Sequence, residues 1–324
     1  MFGDLDVRLD PWDVGYASEM PLEAEEPPAE DVVLDVEVAP HEWTPVMPSA
    51  GALPGRLVFV DGVRRIEARL VLRRGDRIAH GAFGSFAVGS VVADGGAAAC
   101  GEVQVARVVV TGSGELIPGP VAVDPVLTYR PVSTADPSAD GPLRKIQEEM
   151  RVAEERFGRD LAGAERALVV VDGPLTFEEP GRGNAVGYIK RIFRFYLPPE
   201  HLGLLARLPP GARTPVFALR STKRFARYSW FLRLARPHAA DSDLAGIVRL
   251  EVSESVGLEE ARRLADATAG ALPPFAPPRA RDPRAPQNLL PIGALEMQLR
   301  RRLGDARLAR RRIESLIARE VPRG

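Results

Sequence analysis

Two hydrophobic periods along the chain predict its secondary structure. The apolar run at residues 57–60 leads into Asp-Gly and then into alternating inward and outward positions, which predicts two strands over residues 56–72. A second apolar run, residues 167–171, also ends in Asp-Gly and predicts another buried strand. Between them, residues 142–158 carry apolar side chains at spacings of three and four, which predicts an amphipathic helix. Strands followed by alternating helices and strands favour an α/β (mixed α+β) fold with a central sheet.

The same pattern divides the chain into an N-terminal arm, residues 1–50, and a main domain, residues 51–324. The arm is acidic and proline-spotted, and we expect it to contact partners while being dispensable for folding of the core. Within the main domain, residues 76–130 are rich in Gly, Val and Ala and predict a β-rich, barrel-like insertion. Residues 292–319 carry one apolar stripe and many arginines, which predicts a single basic helix for assembly or DNA contact.

The composition is typical of a globular protein with a hydrophobic core, and it excludes some other classes. A chain of 324 residues with 45% hydrophobic residues can build a substantial core. Its single cysteine, Cys100, excludes an intrachain disulfide and a cysteine-based zinc site, which favours a reducing, cytoplasmic setting. No apolar run approaches the ~20 residues that span a membrane, so we expect no membrane partner.

The net charge of −1 conceals an uneven distribution. Residues 1–50 hold 13 acidic residues and one arginine, so the rest of the chain is strongly basic. A basic body suits a polyanionic partner such as DNA, and an acidic arm can compete for the same surface. The alternative, equally consistent with the charges, is a solvated acidic tail.

Carboxylates at the two predicted strand ends suggest a metal site. Asp61 and Asp172 each follow a buried strand, and neighbouring strands would let them share a divalent cation such as Mn²⁺ or Mg²⁺. The helix between them offers Glu154 at the edge of its apolar face, with Glu149 in reserve on the other edge. The alternative is an ordinary boundary glutamate paired with an arginine.

Four segments around these acids resemble the NurA nuclease family in order and approximate spacing: VFVDG, MRVAE, LVVVDGPL and VGYIKR. Later segments, YSWFLRL, GIVRLE and PQNLLPIGALE, resemble it as well, so the resemblance covers about residues 55–300. It implies an RNase H-like core, a homodimer and a manganese-dependent (or magnesium-dependent) activity on DNA ends. It also implies a partnership with the hexameric ATPase HerA, which moves DNA toward the nuclease.

The resemblance assigns roles to particular residues. Asp61, Glu154 and Asp172 match the acidic positions and are the implied metal ligands and catalytic residues. Lys190 matches a lysine after the second Asp-Gly strand and is implied to hold the scissile phosphate or to orient the attacking water. The alternative for Lys190 is a surface lysine on a strand.

The sequence departs from the family at one position. The late segment usually ends in an Ala-His pair that helps to complete the metal site, but Gly293 occupies the position aligned with that histidine. Either Asn288 or Glu296 substitutes for it, or the site is weakened.

Basic and aromatic residues mix in the manner expected of a single-strand channel. The candidates for nucleic-acid binding are Arg191, Arg220, Lys223, Arg224, Arg227 and Tyr228, together with Arg310 and Arg311 of the last helix. The alternatives are core packing for the aromatic residues and a solvated face for the arginines.

These observations predict a metal-dependent DNA nuclease that acts on single strands, with 5′–3′ resection of ends, beside a HerA-type ATPase in DNA repair or defence. Two alternatives stay open. One is a catalytically weakened NurA-like subunit that binds DNA for the translocase. The other is an RNase H-like nuclease that acts on RNA.

Overall fold

The structure is a computed structural model of the chain. It describes residues 1–10, 31–48, 55–94, 96–164, 167–178, 184–192, 194–221, 225–238, 241–281 and 284–320. The strands in these residues are β1 (Asp6–Leu9), β2 (Asp31–Val33), β3 (Arg56–Arg74), β4 (Arg77–Asp94), β5 (Ala97–Thr111), β6 (Val121–Asp124), β7 (Leu127–Ser133), β8 (Leu168–Asp172), β9 (Ala185–Ile189), β10 (Phe217–Arg220), β11 (Arg227–Arg233) and β12 (Ile247–Ser253). The α-helices are α1 (Gly141–Ala164), α2 (Pro199–Arg207), α3 (Leu258–Ala271), α4 (Leu290–Arg302) and α5 (Ala306–Glu320).

A mixed sheet forms the centre of the fold. Its strand order is β2-β10-β11-β12-β9-β8-β3-β4-β5-β7-β6, and β1 pairs with β3. The neighbours β3, β8 and β9 are parallel, as are β5 and β7, and the other described pairs are antiparallel. The predicted mixed α/β class is confirmed. No helix among the described residues is long and apolar enough to cross a membrane.

Strand β3 is one continuous strand of 19 residues, so the prediction of two strands over residues 56–72 is wrong. Asp61 and Gly62 do not turn, because β4 pairs with them at Gly89 and Val88 and continues on both sides. The predicted β-rich segment, residues 76–130, supplies β4, β5 and β6, and these strands extend the same sheet. They form no separate barrel in the described part of the chain.

Helix α1 packs its apolar face on the sheet as its spacing predicts. Leu143, Ile146, Met150 and Phe157 are buried against residues of β3, β4, β5 and β8. The helix continues past Gly158 to Ala164, so the end predicted at residue 158 is wrong. Gly158 instead allows close packing, because a Cβ there would lie 3.3 Å from the Phe177 ring. This packing fixes the face on which the glutamates of α1 lie.

The C-terminal segment contains two helices rather than the single helix predicted over residues 292–319. Gly304 adopts a φ of 78°, which ends α4 in the left-handed conformation that glycine tolerates. Asp305 then begins α5, since its carboxylate accepts hydrogen bonds from the backbone N–H groups of Arg307 and Leu308 at 2.8 and 3.0 Å. Helix α4 packs on β3 and β4, whereas α5 packs near β1 and β6.

The described parts of the N-terminal arm belong to the core. Phe2, Leu5 and Val7 are buried with residues of α5, and Trp43 is buried beside Phe217. Strand β2 pairs with β10 at the edge of the sheet. The prediction that this arm is dispensable for core folding is therefore wrong. Residues 11–30 and the boundary at residue 50 lie outside the described residues.

A buried ion pair fastens the arm to the sheet. Arg213 donates from both terminal guanidinium nitrogens to Glu37 at 2.8 and 2.9 Å, and the Val216 N–H donates to the same carboxylate at 2.6 Å. Burial raises the pKa of Glu37, but the hydrogen bonds and charge of Arg213 outweigh burial and hold it below its ordinary value. Removing Glu37 would leave the buried Arg213 with Asp266, at 2.7 Å, as its remaining acidic partner.

We expect Glu37→Gln to lower the free energy of unfolding by about 1.5–3 kcal/mol at neutral pH, because Arg213 loses its two-pronged charged partner and keeps only Asp266. Urea unfolding measures this. The contribution is present above the ordinary pKa of 4.5 and is lost as the pH falls through the lower folded value. The matched control is Glu259→Gln, whose side chain is 88% exposed beside Arg262 and should change stability by less than about 1 kcal/mol. Equal losses in the two variants would contradict the prediction.

Candidate metal centre

The two Asp-Gly strand ends meet in the sheet. Val60 pairs with Val171 in the parallel pair β3–β8, and each is followed directly by an aspartate. One oxygen from Asp61, one from Asp172 and one from Glu296 all lie within 4.8 Å of one another. The prediction that Asp61 and Asp172 lie on adjacent strands, close enough to share a cation, is confirmed as geometry.

Glu296, held in reserve by the sequence, reaches this centre from α4. The helix is held against β3 and β4 by Leu295 and Leu299, which places the side chain next to Leu295 at the edge of the contact. Gly293 is three residues earlier and therefore on the same helix face. Glu296 thus reaches the region that a side chain at position 293, one turn earlier on α4, would face.

Glu154 approaches the centre from α1. Its Oε2 lies 3.5 Å from where a Cβ on Gly62 would be, directly beside Asp61. Burial and the charge of Asp172 raise the pKa of Glu154 to about 8. Glu154 thus faces the three converging carboxylates without belonging to the tight group of three.

Glu149, the other reserve residue on α1, is turned away from the centre. Its carboxylate pairs with Arg130 at 2.6 Å and with Lys145 at 3.4 Å. The ordinary interpretation of a boundary glutamate is correct for this residue, and its candidacy as a ligand is wrong.

Two cations hold the carboxylates in place. Lys190 Nζ donates to Asp172 at 2.7 Å and to the buried Asn288 at 3.0 Å, and lies 3.5 Å from Glu296. Burial lowers the pKa of Lys190, but the charges of Asp172, Asp61 and Glu296 outweigh it and raise the pKa above its ordinary value. Arg284 binds Glu296 through both terminal guanidinium nitrogens, each 2.9 Å from one carboxylate oxygen.

Two carboxylate oxygens at the centre lack a hydrogen-bond donor. Asp61 accepts from the Gly62 N–H at 2.7 Å through Oδ1, but its buried Oδ2 has no partner in the described structure, and neither does Asp172 Oδ1. Burial and then the charges of Asp172 and Glu154 raise the pKa of Asp61 well above its usual range. Buried acceptors without donors are costly.

The donor set fits a hard divalent cation. Mg²⁺ and Mn²⁺ prefer carboxylate oxygens, and such an ion would satisfy the unpaired oxygens of Asp61 and Asp172. Asp61, Asp172 and Glu296 are the residues placed to hold it. Glu154 adds a fourth carboxyl group at the edge of the group.

Of the residues predicted to bind nucleic acid, Arg227 is the one the structure contradicts. It is fully buried and donates to Glu251 at 3.3 Å between β11 and β12, so a strand outside cannot reach it. Tyr228 is half-buried against the core, and Arg220 is exposed but paired with Glu254 at 2.6 Å. Arg191 is exposed beside Lys190.

Among the other basic candidates, those that the structure describes lie on α5, away from the centre. Lys223 and Arg224 lie outside the described residues. Arg310 pairs with Glu314 at 3.0 Å, and Arg311 is exposed on the same helix. Helix α5 packs with Leu70, which at about 3.3 Å per residue is about 30 Å along β3 from Asp61. A role of these arginines in DNA binding stays a prediction about a separate surface.

Comparisons with known proteins leave the family open. No protein-family model matches the sequence, and no curated protein matches it. The fold is similar to the crystal structure of the NurA nuclease from Sulfolobus solfataricus, with a TM-score of 0.49 and 10% identity over 87% of this chain and 89% of that chain. At this degree of likeness neither family membership nor function follows, so the function rests on the geometry of the site.

Proposed function

We propose that the protein is a divalent-cation-dependent nuclease that hydrolyses phosphodiester bonds of DNA. The observation that carries the proposal is the convergence of Asp61, Asp172 and Glu296 within 4.8 Å. The buried oxygens Asp61 Oδ2 and Asp172 Oδ1 have no hydrogen-bond donor in the described structure, and a bound cation would satisfy them. Lys190 donates a hydrogen bond to the other oxygen of Asp172. The segments that resemble the NurA family point to DNA as the substrate, and Mn²⁺ or Mg²⁺ as the cofactor.

The chain's own groups can carry the proton and the charge of the reaction. When bound, the cation supplies positive charge at the phosphoryl group under attack. Glu154, whose Oε2 lies beside Asp61, is placed to accept a proton from the attacking water once the cation is bound, because the nearby positive charge would lower its pKa. Lys190 is placed to donate to a non-bridging phosphate oxygen. The attacking water would add to phosphorus and pass its proton to Glu154, and the bond to the 3′ oxygen would break. That oxygen would take up a proton from solvent, leaving a 5′-phosphate and a 3′-hydroxyl.

The sheet supports a finer proposal for the fold. Strands β5, β4 and β3 are antiparallel neighbours, and β3, β8 and β9 are parallel. Between β5 and β8 the chain passes through β6, β7 and α1. We propose that these elements are the RNase H-like core that the sequence resemblance implies. A homodimer, a HerA-type ATPase partner, 5′–3′ resection of ends, and a place in DNA repair or defence are further parts of this proposal.

The test is a cleavage assay with the purified full chain. Labelled single-stranded DNA, duplex DNA and RNA of one sequence are incubated with Mn²⁺, Mg²⁺ or EDTA. We expect cleavage of single-stranded DNA with Mn²⁺ and none with EDTA. Asp61→Asn is the matched control, because it keeps the size of the side chain and the acceptor for the Gly62 N–H while removing the charge. Equal cleavage by this variant would place the activity elsewhere.

A second candidate function follows from the ion pairs at the centre. Lys190 and Arg284 already neutralise Asp172 and Glu296, which fits a catalytically weakened, DNA-binding partner subunit of a translocase. Calorimetric titration with Mn²⁺ separates the two functions, because the weakened subunit would bind DNA without binding the cation. Cleavage of the RNA strand alone would instead support an RNase H-like enzyme that acts on RNA.

A further inference from the structure

A cavity opens directly beside the acidic centre. Its volume is about 320 Å³, which is within the size range of small-ligand pockets. The lining residues that matter here are Arg281, Arg284, Asn288, Gly293, Glu296 and Arg300. Asn288 and Glu296 also belong to the acidic centre, where both approach Lys190. The cavity and the centre therefore share a wall.

Three arginines line this small space. Arg281 and Arg300 are exposed, and neither forms an ion pair with any residue that the structure describes. Arg284 faces both the cavity and Glu296, which it contacts at 2.9 Å. Arg281 and Arg300, which lack an ion-pair partner among the described residues, leave positive charge on one concave surface, and such a surface attracts an anion. The planar fork of a guanidinium matches the oxygens of a phosphate.

We infer that this cavity binds a phosphate group of a single-stranded DNA, adjacent to the phosphodiester held at the acidic centre. The identity of the ligand rests on the proposed function, whereas the anion preference rests on the arginines alone. In this arrangement Arg281 and Arg300 bind the phosphate backbone of the DNA strand. Glu296, on the shared wall, excludes the phosphate from the side of the cavity that faces the carboxylates.

Binding measured without a divalent cation tests the inference separately from cleavage. The probe is a fluorescein-labelled oligothymidine, and its anisotropy is followed in EDTA over a series of salt concentrations. We expect the double variant Arg281→Gln/Arg300→Gln to raise Kd about tenfold and to reduce the salt slope by about 0.7–1.4, because one or two phosphate contacts are lost. The matched control is Arg301→Gln/Arg302→Gln, which removes the same charge from exposed positions around the C-terminal end of α4, outside the cavity lining.

Three outcomes would overturn the inference. They are equal losses of affinity in the two double variants, no binding of the oligonucleotide by the wild type, and binding of oligouridine without binding of oligothymidine. Thermal unfolding with and without Mn²⁺ shows whether the acidic centre is intact, and the Arg281→Gln/Arg300→Gln variant should keep the wild-type response. If the protein cuts no DNA but the anisotropy result holds, the proposed function fails and the phosphate site stands.

Discussion

We expect Glu154→Gln and Asp172→Asn each to lower the rate of the proposed cation-dependent cleavage by about 10³-fold, which corresponds to about 4 kcal/mol of lost transition-state stabilisation. Asp172 supplies one of the three converging oxygens, and Glu154 faces them from α1 with a pKa near 8. Both substitutions keep the size of the side chain and remove its charge. Initial rates on labelled single-stranded DNA at saturating Mn²⁺ measure the effect.

The matched control is Glu149→Gln, the same substitution on the same helix. Glu149 pairs with Arg130 and Lys145 on the surface side of α1, so the rate should stay within about threefold of the wild type. Circular dichroism and thermal unfolding check that all three variants are folded. If Glu149→Gln is as slow as Glu154→Gln, the loss reflects helix α1 in general, and the role given to Glu154 is wrong.

We expect Mn²⁺ to raise the melting temperature of the wild-type protein by about 4 °C at a concentration of 100 Kd, because it would bind only the folded site. The effect grows with pH. Asp61 and Glu154 have folded pKa values above their ordinary ones, so the cation-free protein loses stability as the pH rises from about 4.5 to about 8. Protons compete with the cation over the same window. Differential scanning fluorimetry from pH 5 to pH 8.5, with Mn²⁺ or EDTA, measures both trends.

Asp61→Asn separates stability from metal binding. In EDTA we expect this variant to melt above the wild type, since it removes a buried charge whose Oδ2 has no donor. It should also lose the response to Mn²⁺. Glu37→Gln provides the opposite pattern, with a lower melting temperature and an unchanged response. A cation-free Asp61→Asn protein that melts below the wild type would contradict the view that repulsion at the centre opposes folding.

The sequence was sufficient for the parts of the site that depend on local periodicity. Asp61 and Asp172 follow buried strands, and a parallel pairing brings equivalent strand positions together. Glu154 lies at the edge of an apolar helix face, where helical geometry places it next to the sheet. In each case the position of a side chain follows from the element that carries it.

Contacts between distant segments could not be predicted in this way. Arg284 lies in a proline-rich loop without periodicity, so no sequence signal connects it to Glu296. Arg227 looks like a surface arginine in an RFARY segment, and only the pairing of β11 with β12 shows that Glu251 buries it. The arm was misjudged because its acidic composition conceals Phe2, Leu5 and Trp43, whose partners are far along the chain.

The sequence contains a signal for the break between α4 and α5, but the apolar spacing across it led to the prediction of a single helix. Apolar positions continue through Leu303 and Ala309 at helical spacing, so the apolar stripe of residues 292–319 is unbroken in the sequence. Gly304 and Asp305 between them are a typical helix stop and a typical helix start. End signals of this kind outweigh a continuing stripe when the two disagree.

The pairing of the N-terminal segments has a consequence for how the chain folds during synthesis. Strand β2 pairs with β10, and the Glu37 carboxylate binds Arg213, which lies 176 residues later in the chain. The amino group of Met1 meets Glu320, at a separation of 319 residues. Long-range pairing of this kind slows folding, because the closure of large loops precedes the contacts that repay it. While the ribosome extends the chain, β1 can pair with β3 early, whereas β2 stays unpaired until β10 has emerged. Phe2, Leu5 and Val7 complete their cluster only when α5 has emerged, so we expect refolding to be slow and sensitive to truncation within α5.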